Sequence, residues 1–268
     1  MGFNKNVGFK TKFSDFLLWT GLIVIIIDLI VQFTTILVGY TKIPPTVTNP
    51  HNLWIPPDGA WVGIWTLLSE FTIQSNLLLL FFFCFVLTNR FYENRCLFVH
   101  GRFSLAITTY TTITAIVFFG VLFEPLLKNL DTNNAISVTN FANTFLLDLI
   151  TPVIMILYYL LTVGKYYWGY KKQAYLWTPI ISIYMFVYLG YALAKGNFVG
   201  MLPNGKTEID YSFPYSFLNF HESLSKFFIY ISLILALYLV LIALFTLYNN
   251  LLYKRNNKSM ALLRDTNI

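Results

Sequence analysis

The stretch Glu70-Phe71-Thr72-Ile73-Gln74-Ser75-Asn76 runs directly into the apolar run Leu77-Leu78-Leu79-Leu80-Phe81-Phe82-Phe83. Five of its seven residues are polar, although residues 61–88 as a whole have the length and composition of a membrane-spanning helix. A polar group without a hydrogen-bonding partner in hydrocarbon costs several kcal/mol, so such a cluster has to be sheltered by other helices. We call residues 70–76 the polar segment, and the sequence predicts a bundle of apolar helices around it.

Composition excludes an ordinary soluble domain. Of the 268 residues, 57% are hydrophobic and 11% are charged, whereas about 25% are charged in a typical soluble domain. Six hydrophobic runs are long enough to cross a bilayer, which needs about 20 residues each. We therefore predict an all-α, polytopic membrane protein with one domain over residues 1–268. Its predicted helices cover about residues 16–40, 61–88, 103–127, 141–164, 176–194 and 226–252.

The distribution of basic residues predicts the orientation of the bundle. Positive charges collect on the cytoplasmic side of membrane proteins. With the amino terminus inside, thirteen of the eighteen Lys and Arg residues fall on the cytoplasmic side, and Lys42, Lys128, Lys195, Lys206 and Lys226 fall outside. The sequence therefore predicts a multi-pass protein of the cell membrane, with both termini in the cytoplasm.

The positive charge does not indicate a nucleic-acid partner. The net charge of +6 is spread over several short loops rather than gathered in one patch. Cys84 and Cys96 form neither a disulfide framework nor a metal motif. The predicted partners are membrane lipids, protein partners stay open, and no cofactor or metal is predicted.

Ionisable residues within the predicted helices are candidates for function. Asp28 lies near the middle of helix 1, Glu70 lies in helix 2 and Asp148 lies in helix 4. No Lys or Arg falls within a predicted helix core, so these acids have no evident basic partner. At about 1.5 Å per residue, Thr72 lies roughly 15 Å and Asp148 roughly 10 Å below the outer surface. The sequence therefore predicts that these two residues can share a site.

A structural interpretation competes with a functional one. Gln74, Ser75 and Asn76 have side chains that commonly join transmembrane helices by hydrogen bonds, as do the threonines of helix 3 (Thr108, Thr109, Thr111, Thr112 and Thr114). The aromatic stretch 211–219 fits either an interfacial aromatic belt or a lid over an outward-facing cavity. The sequence leaves both choices open.

Several motifs nevertheless occur in the order found in one known family. Phe71-Thr72-Ile73-Gln74-Ser75-Asn76-Leu77, Thr112-Ile113-Thr114, Pro152, Lys195-Gly196 and Pro214-Tyr215-Ser216-Phe217-Leu218-Asn219 span about residues 60–220. This pattern resembles the androgen-induced and androgen-dependent TFPI-regulating protein family, and is most similar to its bacterial multi-pass relatives. The resemblance implies an intramembrane hydrolase of fatty-acid esters of hydroxy fatty acids, with Thr72 as the nucleophile.

The chain departs from that family at one position. The family's catalytic histidine would lie shortly before Pro152, where this sequence has Asp148, and no histidine lies in any predicted helix. A carboxylate of ordinary pKa, about 4, is a weaker base than imidazole. Asp148 or Glu70 is then the expected base, with Gln74, Ser75 and Asn76 as oxyanion or substrate-binding groups. Asp28 is a further expected substrate-binding residue.

Two other functions fit the sequence. The acids Asp28, Glu70 and Asp148, together with two sets of three helices in opposite orientation, fit a small proton-linked transporter. A non-catalytic protein that binds lipid or a partner, with the polar segment as packing residues, also fits. The sequence predicts a lipid-ester hydrolase-like membrane protein and does not settle whether it is active.

Overall fold

The fold is all-helical, as predicted. The structure is a computed structural model that describes residues 5–42, 64, 67–89, 101–128, 130–199 and 213–265, and these residues contain no strand. Among these residues, six helices are long and apolar enough to cross a membrane, which agrees in number with the six helices predicted. We label these helices α1 (Lys5–Lys42), α2 (Phe71–Thr88), α3 (101–128), α4 (135–162), α5 (170–199) and α6 (Leu224–Asp265).

Three of these helices contain one wider, π-helical turn each: Phe118–Leu122 in α3, Leu146–Ile150 in α4 and Gln173–Trp177 in α5. The turn in α4 contains Asp148 and precedes Pro152. Proline has no backbone N–H and cannot continue the regular ladder, and the N–H of Thr151 bonds five residues back to the Leu146 carbonyl. Such turns are often found at functional sites.

The prediction of one continuous helix over 61–88 is wrong. Leu67 and Leu68 are helical, Ser69 and Glu70 form a turn, and α2 begins only at Phe71. Glu70 has extended backbone angles (φ −73°, ψ 137°). The polar segment is therefore the beginning of a helix, directly after a break in the chain.

The centre of the bundle is formed by α2 and α3. In the most apolar 18-residue stretch of each helix, 61% of the residues are buried in α3 and 50% in α2, but only 17% in α6. The five helix 3 threonines are all buried. Their hydroxyls donate to backbone carbonyls four residues earlier in α3 itself, and Thr114 also meets Ser75. Apart from that contact, these hydroxyls satisfy their own helix rather than joining it to others.

A tight turn between α4 and α5 is fixed to the last helix. Gly164 has φ +86°, in the left-handed region that glycine adopts without steric cost. Its N–H donates to the Asn249 side chain at 2.9 Å, and the N–H of Trp168 donates to the Asn250 side chain at 2.9 Å. A Cβ atom on Gly164 would lie 2.7 Å from Leu252 Cβ.

We expect Gly164→Ala to lower the free energy of unfolding by about 1–3 kcal/mol, because it adds a strained backbone conformation and a steric clash. Gly169→Ala is the matched control in the same turn, since no atom lies within 4 Å of its added Cβ. Thermal unfolding in detergent, followed by tryptophan fluorescence, measures both. Equal stability of the two variants would contradict this account of the turn.

Candidate functional site

The break at Ser69–Glu70 leaves backbone groups without helical partners, and side chains satisfy several of them. Gln74 Nε2 donates to the Leu68 carbonyl at 3.0 Å, and the Tyr188 hydroxyl donates to the Ser69 carbonyl at 3.1 Å. The N–H of Thr72, in the first turn of α2, donates to the Tyr215 hydroxyl at 3.3 Å. The break is therefore held by α5 and by the segment before α6.

The break lies well inside the bundle. Ser75 Oγ lies 3.3 Å from the Thr114 hydroxyl, and Thr114 is about halfway along α3. At about 1.5 Å per residue, Thr114 is roughly 20 Å from either end of that helix. The first turn of α2 thus begins among the other helices, where backbone groups need partners from protein.

Lys195 lies beside the break, which corrects two predictions. Helix 5 was expected to end at about 194 and Glu70 to have no evident basic partner, but α5 continues to Val199. Lys195 is only 8% exposed, its Nζ donates to Ser69 Oγ at 2.6 Å, and it interacts electrostatically with Glu70. Glu70 therefore has a basic partner that the sequence did not reveal.

Asn76 joins α2 to the π-helical turn of α4. Its Nδ2 donates to the Thr72 carbonyl at 2.9 Å and to the Leu147 carbonyl at 3.2 Å. The Thr151 hydroxyl lies 2.6 Å from Asn76 Oδ1 and 2.7 Å from the Leu147 carbonyl. Both amide hydrogens of Asn76 are thus occupied, and this clamp fixes the turn that contains Asp148 against α2.

Thr72 lies between Tyr215 and Asp148. Its Oγ1 is 3.3 Å from the Tyr215 hydroxyl, and its side chain also interacts with the Asp148 carboxyl group. The contact with Tyr215 has the geometry of a weak hydrogen bond, and the contact with the Asp148 carboxyl group is also a hydrogen-bonding one. Asp148 is 3% exposed, and its Oδ1 has no hydrogen-bonding partner in the described part of the chain. The predicted pair Thr72 and Asp148 is therefore brought together.

Asp28 approaches the same region from α1. It is buried, accepts a hydrogen bond of 2.8 Å from Gln32, and interacts electrostatically with Asp148. Its Oδ1 also lacks a partner among the described residues. Asp28 thus lies near Asp148.

Tyr215 is the functional candidate that the sequence did not single out, because it belongs to a stretch that also fits an interfacial belt. Its ring stacks on Phe217, with centroids 5.2 Å apart. The neighbouring Phe213 ring packs against the backbone of Gly196, where a Cβ would lie 2.1 Å from it. Burial raises the pKa of Tyr215, so its hydroxyl keeps its proton at neutral pH.

An apolar cavity of about 90 Å³ is lined in part by Thr72 and Tyr215. That is several times the roughly 10–15 Å³ that one water needs by the same measure. Thr114 and Tyr188 also line it, and the other twelve lining residues are apolar. One of these, Phe186, is 57% exposed on the outer surface of the bundle, so the cavity reaches the face that meets lipid.

The predicted site residues therefore divide into two groups. Thr72, Asp148 and Glu70 lie near one another, and Thr72 faces the cavity. Gln74 donates to the Leu68 carbonyl, and Ser75 donates to the Thr72 carbonyl. Asn76 donates to the carbonyls of both Thr72 and Leu147. The Gln74 amide oxygen also accepts a hydrogen bond of 3.3 Å from Tyr184. These three side chains, together with Asp28, are not among the residues that line the cavity.

The fold and the site define a six-span helical membrane protein with a broken second helix and a buried polar site beside an apolar cavity. Comparison with known protein families, curated proteins and solved structures finds no match to the chain. The function is therefore argued from the site itself.

We expect Tyr215→Phe to lower the free energy of unfolding by about 1–3 kcal/mol, because it leaves the buried N–H of Thr72 without an acceptor. Tyr175→Phe is the matched control: its side chain is 85% exposed, and its loss should change stability by less than about 0.5 kcal/mol. Denaturant titration in detergent measures both. Equal effects would show that the Tyr215 hydroxyl does not support the break.

The placement of Tyr215 depends on the close approach of Phe213 to Gly196. We expect Gly196→Ala to destabilise the protein by about 1–3 kcal/mol, because the methyl group overlaps the Phe213 ring. Gly190→Ala, in the same helix, meets no atom within 4 Å and should be neutral or stabilising by up to about 1 kcal/mol. Thermal unfolding of the two variants decides the matter, and a stable Gly196→Ala protein would contradict the packing.

Proposed function

We propose that this protein is a membrane-embedded hydrolase of lipid esters, with Thr72 as the nucleophile and Asp148 as the base. One observation carries the proposal: the Thr72 hydroxyl is not used by its own helix. Twelve other threonines of the described helices donate to the carbonyl four residues earlier. For Thr72 that carbonyl belongs to Leu68 and accepts from Gln74 instead.

The surroundings of Thr72 fit acyl transfer. The hydroxyl attacks the ester carbonyl carbon while its proton moves to the Asp148 carboxylate, and a tetrahedral oxyanion forms. The oxyanion then expels the alcohol, which takes the proton from Asp148, and leaves an acyl-threonine. A water molecule, deprotonated by Asp148, then attacks the acyl carbon. The bond to Thr72 Oγ1 breaks, Oγ1 takes the proton back from Asp148, and the fatty acid is released.

Tyr215 is the best placed donor for the oxyanion. Gln74, Ser75 and Asn76 were expected in this role, but their donors are directed at backbone carbonyls. The Tyr215 hydroxyl accepts from the Thr72 N–H and keeps its own proton to donate. The developing charge also lies at the first turn of α2, where the helix dipole favours an anion.

The cavity supports an apolar substrate. Twelve of its sixteen lining residues are apolar, and Thr72 and Tyr215 are among the four that carry hydroxyl groups. An acyl chain that enters from the lipid face would place its ester group at these hydroxyls. This arrangement agrees with the substrate class that the family resemblance implies.

Two substitutions at one position test the proposal. Thr72→Val keeps the shape and removes the hydroxyl, whereas Thr72→Ser keeps a hydroxyl. With fatty-acid esters of hydroxy fatty acids as substrates, we expect Thr72→Val to lower kcat/KM by at least about 10³-fold and to abolish labelling by a fluorophosphonate probe. Thr72→Ser should retain labelling and measurable turnover.

Asp148→Asn tests the proposed base independently of the nucleophile. We expect it to lower kcat strongly while substrate binding is kept, because Asp148 does not line the cavity. Equal labelling and turnover in wild type and Thr72→Val would remove Thr72 from the nucleophile's role. A wild-type protein that neither reacts with the probe nor hydrolyses any of these esters would defeat the proposal as a whole.

A proton-linked carrier is the second candidate. It is favoured by the buried carboxyl groups of Asp28 and Asp148, each with one oxygen that lacks a partner in the described part of the chain. Glu70 does not add to this argument, because Lys195 lies close to it. Substrate-driven proton flux in liposomes that is lost in Asp28→Asn, with no ester hydrolysis, would favour this function.

A further inference from the structure

Far from the cavity, one end of the bundle carries a dense group of exposed basic and tyrosine side chains. It is formed by residues 163–177, which include the turn after α4 and the beginning of α5, and by residues 249–258 of α6. Its exposed bases are Lys165, Lys171, Lys172, Lys254, Arg255 and Lys258, and its exposed tyrosines are Tyr166, Tyr167, Tyr170 and Tyr175. We call this surface the basic-tyrosine face; neither stretch contains an acidic residue.

The opposite end of the bundle differs in charge. There, Lys128 pairs with Glu124 at 2.5 Å, and Lys226 pairs with Glu222 at 3.7 Å. All four side chains are well exposed, so each pair adds little stability, but each lysine has a carboxylate beside it. Among the described residues, the lysines at the opposite end therefore have carboxylates beside them, whereas the two stretches of the basic-tyrosine face contain no acidic residue.

The backbone beneath this face is held rigidly. The side-chain oxygens of Asn249 and Asn250 accept the two N–H bonds from the turn. Asn249 Nδ2 also donates to the Tyr166 carbonyl at 3.0 Å, and Asn250 Nδ2 donates to the Trp168 carbonyl at 2.8 Å. The Arg102 guanidinium lies over the rings of Trp168 and Trp177, at 5.7 and 4.4 Å from their centroids. Because the surface is ordered in advance, a ligand loses less binding energy to ordering it.

We propose that the basic-tyrosine face binds the headgroups of anionic phospholipids in the surrounding bilayer. Exposed tyrosines at the end of a bundle are placed at the level of the headgroups, where an amphipathic ring is favoured. The lysines beside them then meet lipid phosphates, and each basic side chain at an anionic surface contributes about 1 kcal/mol. The proposal does not depend on the hydrolase chemistry.

The competing explanation is that these bases only set the orientation of the chain in the membrane. In that case, they show no preference between lipids of different charge. Two double variants that remove equal charge separate the explanations: Lys171→Gln with Lys172→Gln on the basic-tyrosine face, and Lys128→Gln with Lys226→Gln at the opposite end. All four lysines are exposed, so both proteins should fold.

Binding is measured by native mass spectrometry of the purified protein in detergent, with phosphatidylglycerol and phosphatidylcholine of identical acyl chains. We expect wild type to bind phosphatidylglycerol more tightly than phosphatidylcholine, and less so as salt is raised. The Lys171/Lys172 variant should bind phosphatidylglycerol about 30-fold more weakly, and the Lys128/Lys226 variant less than threefold more weakly. Equal affinity of wild type for the two lipids, or an equal loss in both variants, would overturn the proposal.

Discussion

A backbone that is broken inside a membrane bundle has to find new hydrogen-bonding partners, and this requirement organises the structure. The turn at Ser69–Glu70 is satisfied by side chains from three places: Gln74 from the next turn of α2, Tyr188 from α5 and Tyr215 from the segment before α6. Hydrocarbon supplies no substitute for these groups. These three side chains therefore have to lie beside the break.

The same partners create the site. Because α2 begins at Phe71, Thr72 lies in its first turn, at the positive end of the helix dipole. The acceptor of its N–H is a tyrosine hydroxyl, which brings a second proton donor next to Oγ1. The clamp of Asn76 on the Leu147 carbonyl fixes the π-helical turn that contains Asp148. The same hydrogen bonds therefore support the fold and position Thr72 and Asp148.

The sequence predicted the location of this site better than its construction. Six apolar runs and a polar cluster in the second are visible in composition, because spanning length and burial are properties of local sequence. The break was not predictable in this way, since neither Ser69 nor Glu70 is a proline or glycine. Lys195 and Tyr215 lie 126 and 143 residues from their partners Ser69 and Thr72. Only tertiary packing shows that their side chains enter the site.

Most polar side chains at the centre of the bundle have a structural role, and Thr72 differs from them. The threonines of α3 return their hydroxyls to their own helix, and Gln74, Ser75 and Asn76 donate to carbonyls. Thr72 is the exception: after the break, Gln74 donates to the Leu68 carbonyl, and the Thr72 hydroxyl does not donate to it. Its lone pairs and proton are instead directed at Tyr215 and Asp148, and it lines an apolar cavity, which is the availability that a nucleophile needs.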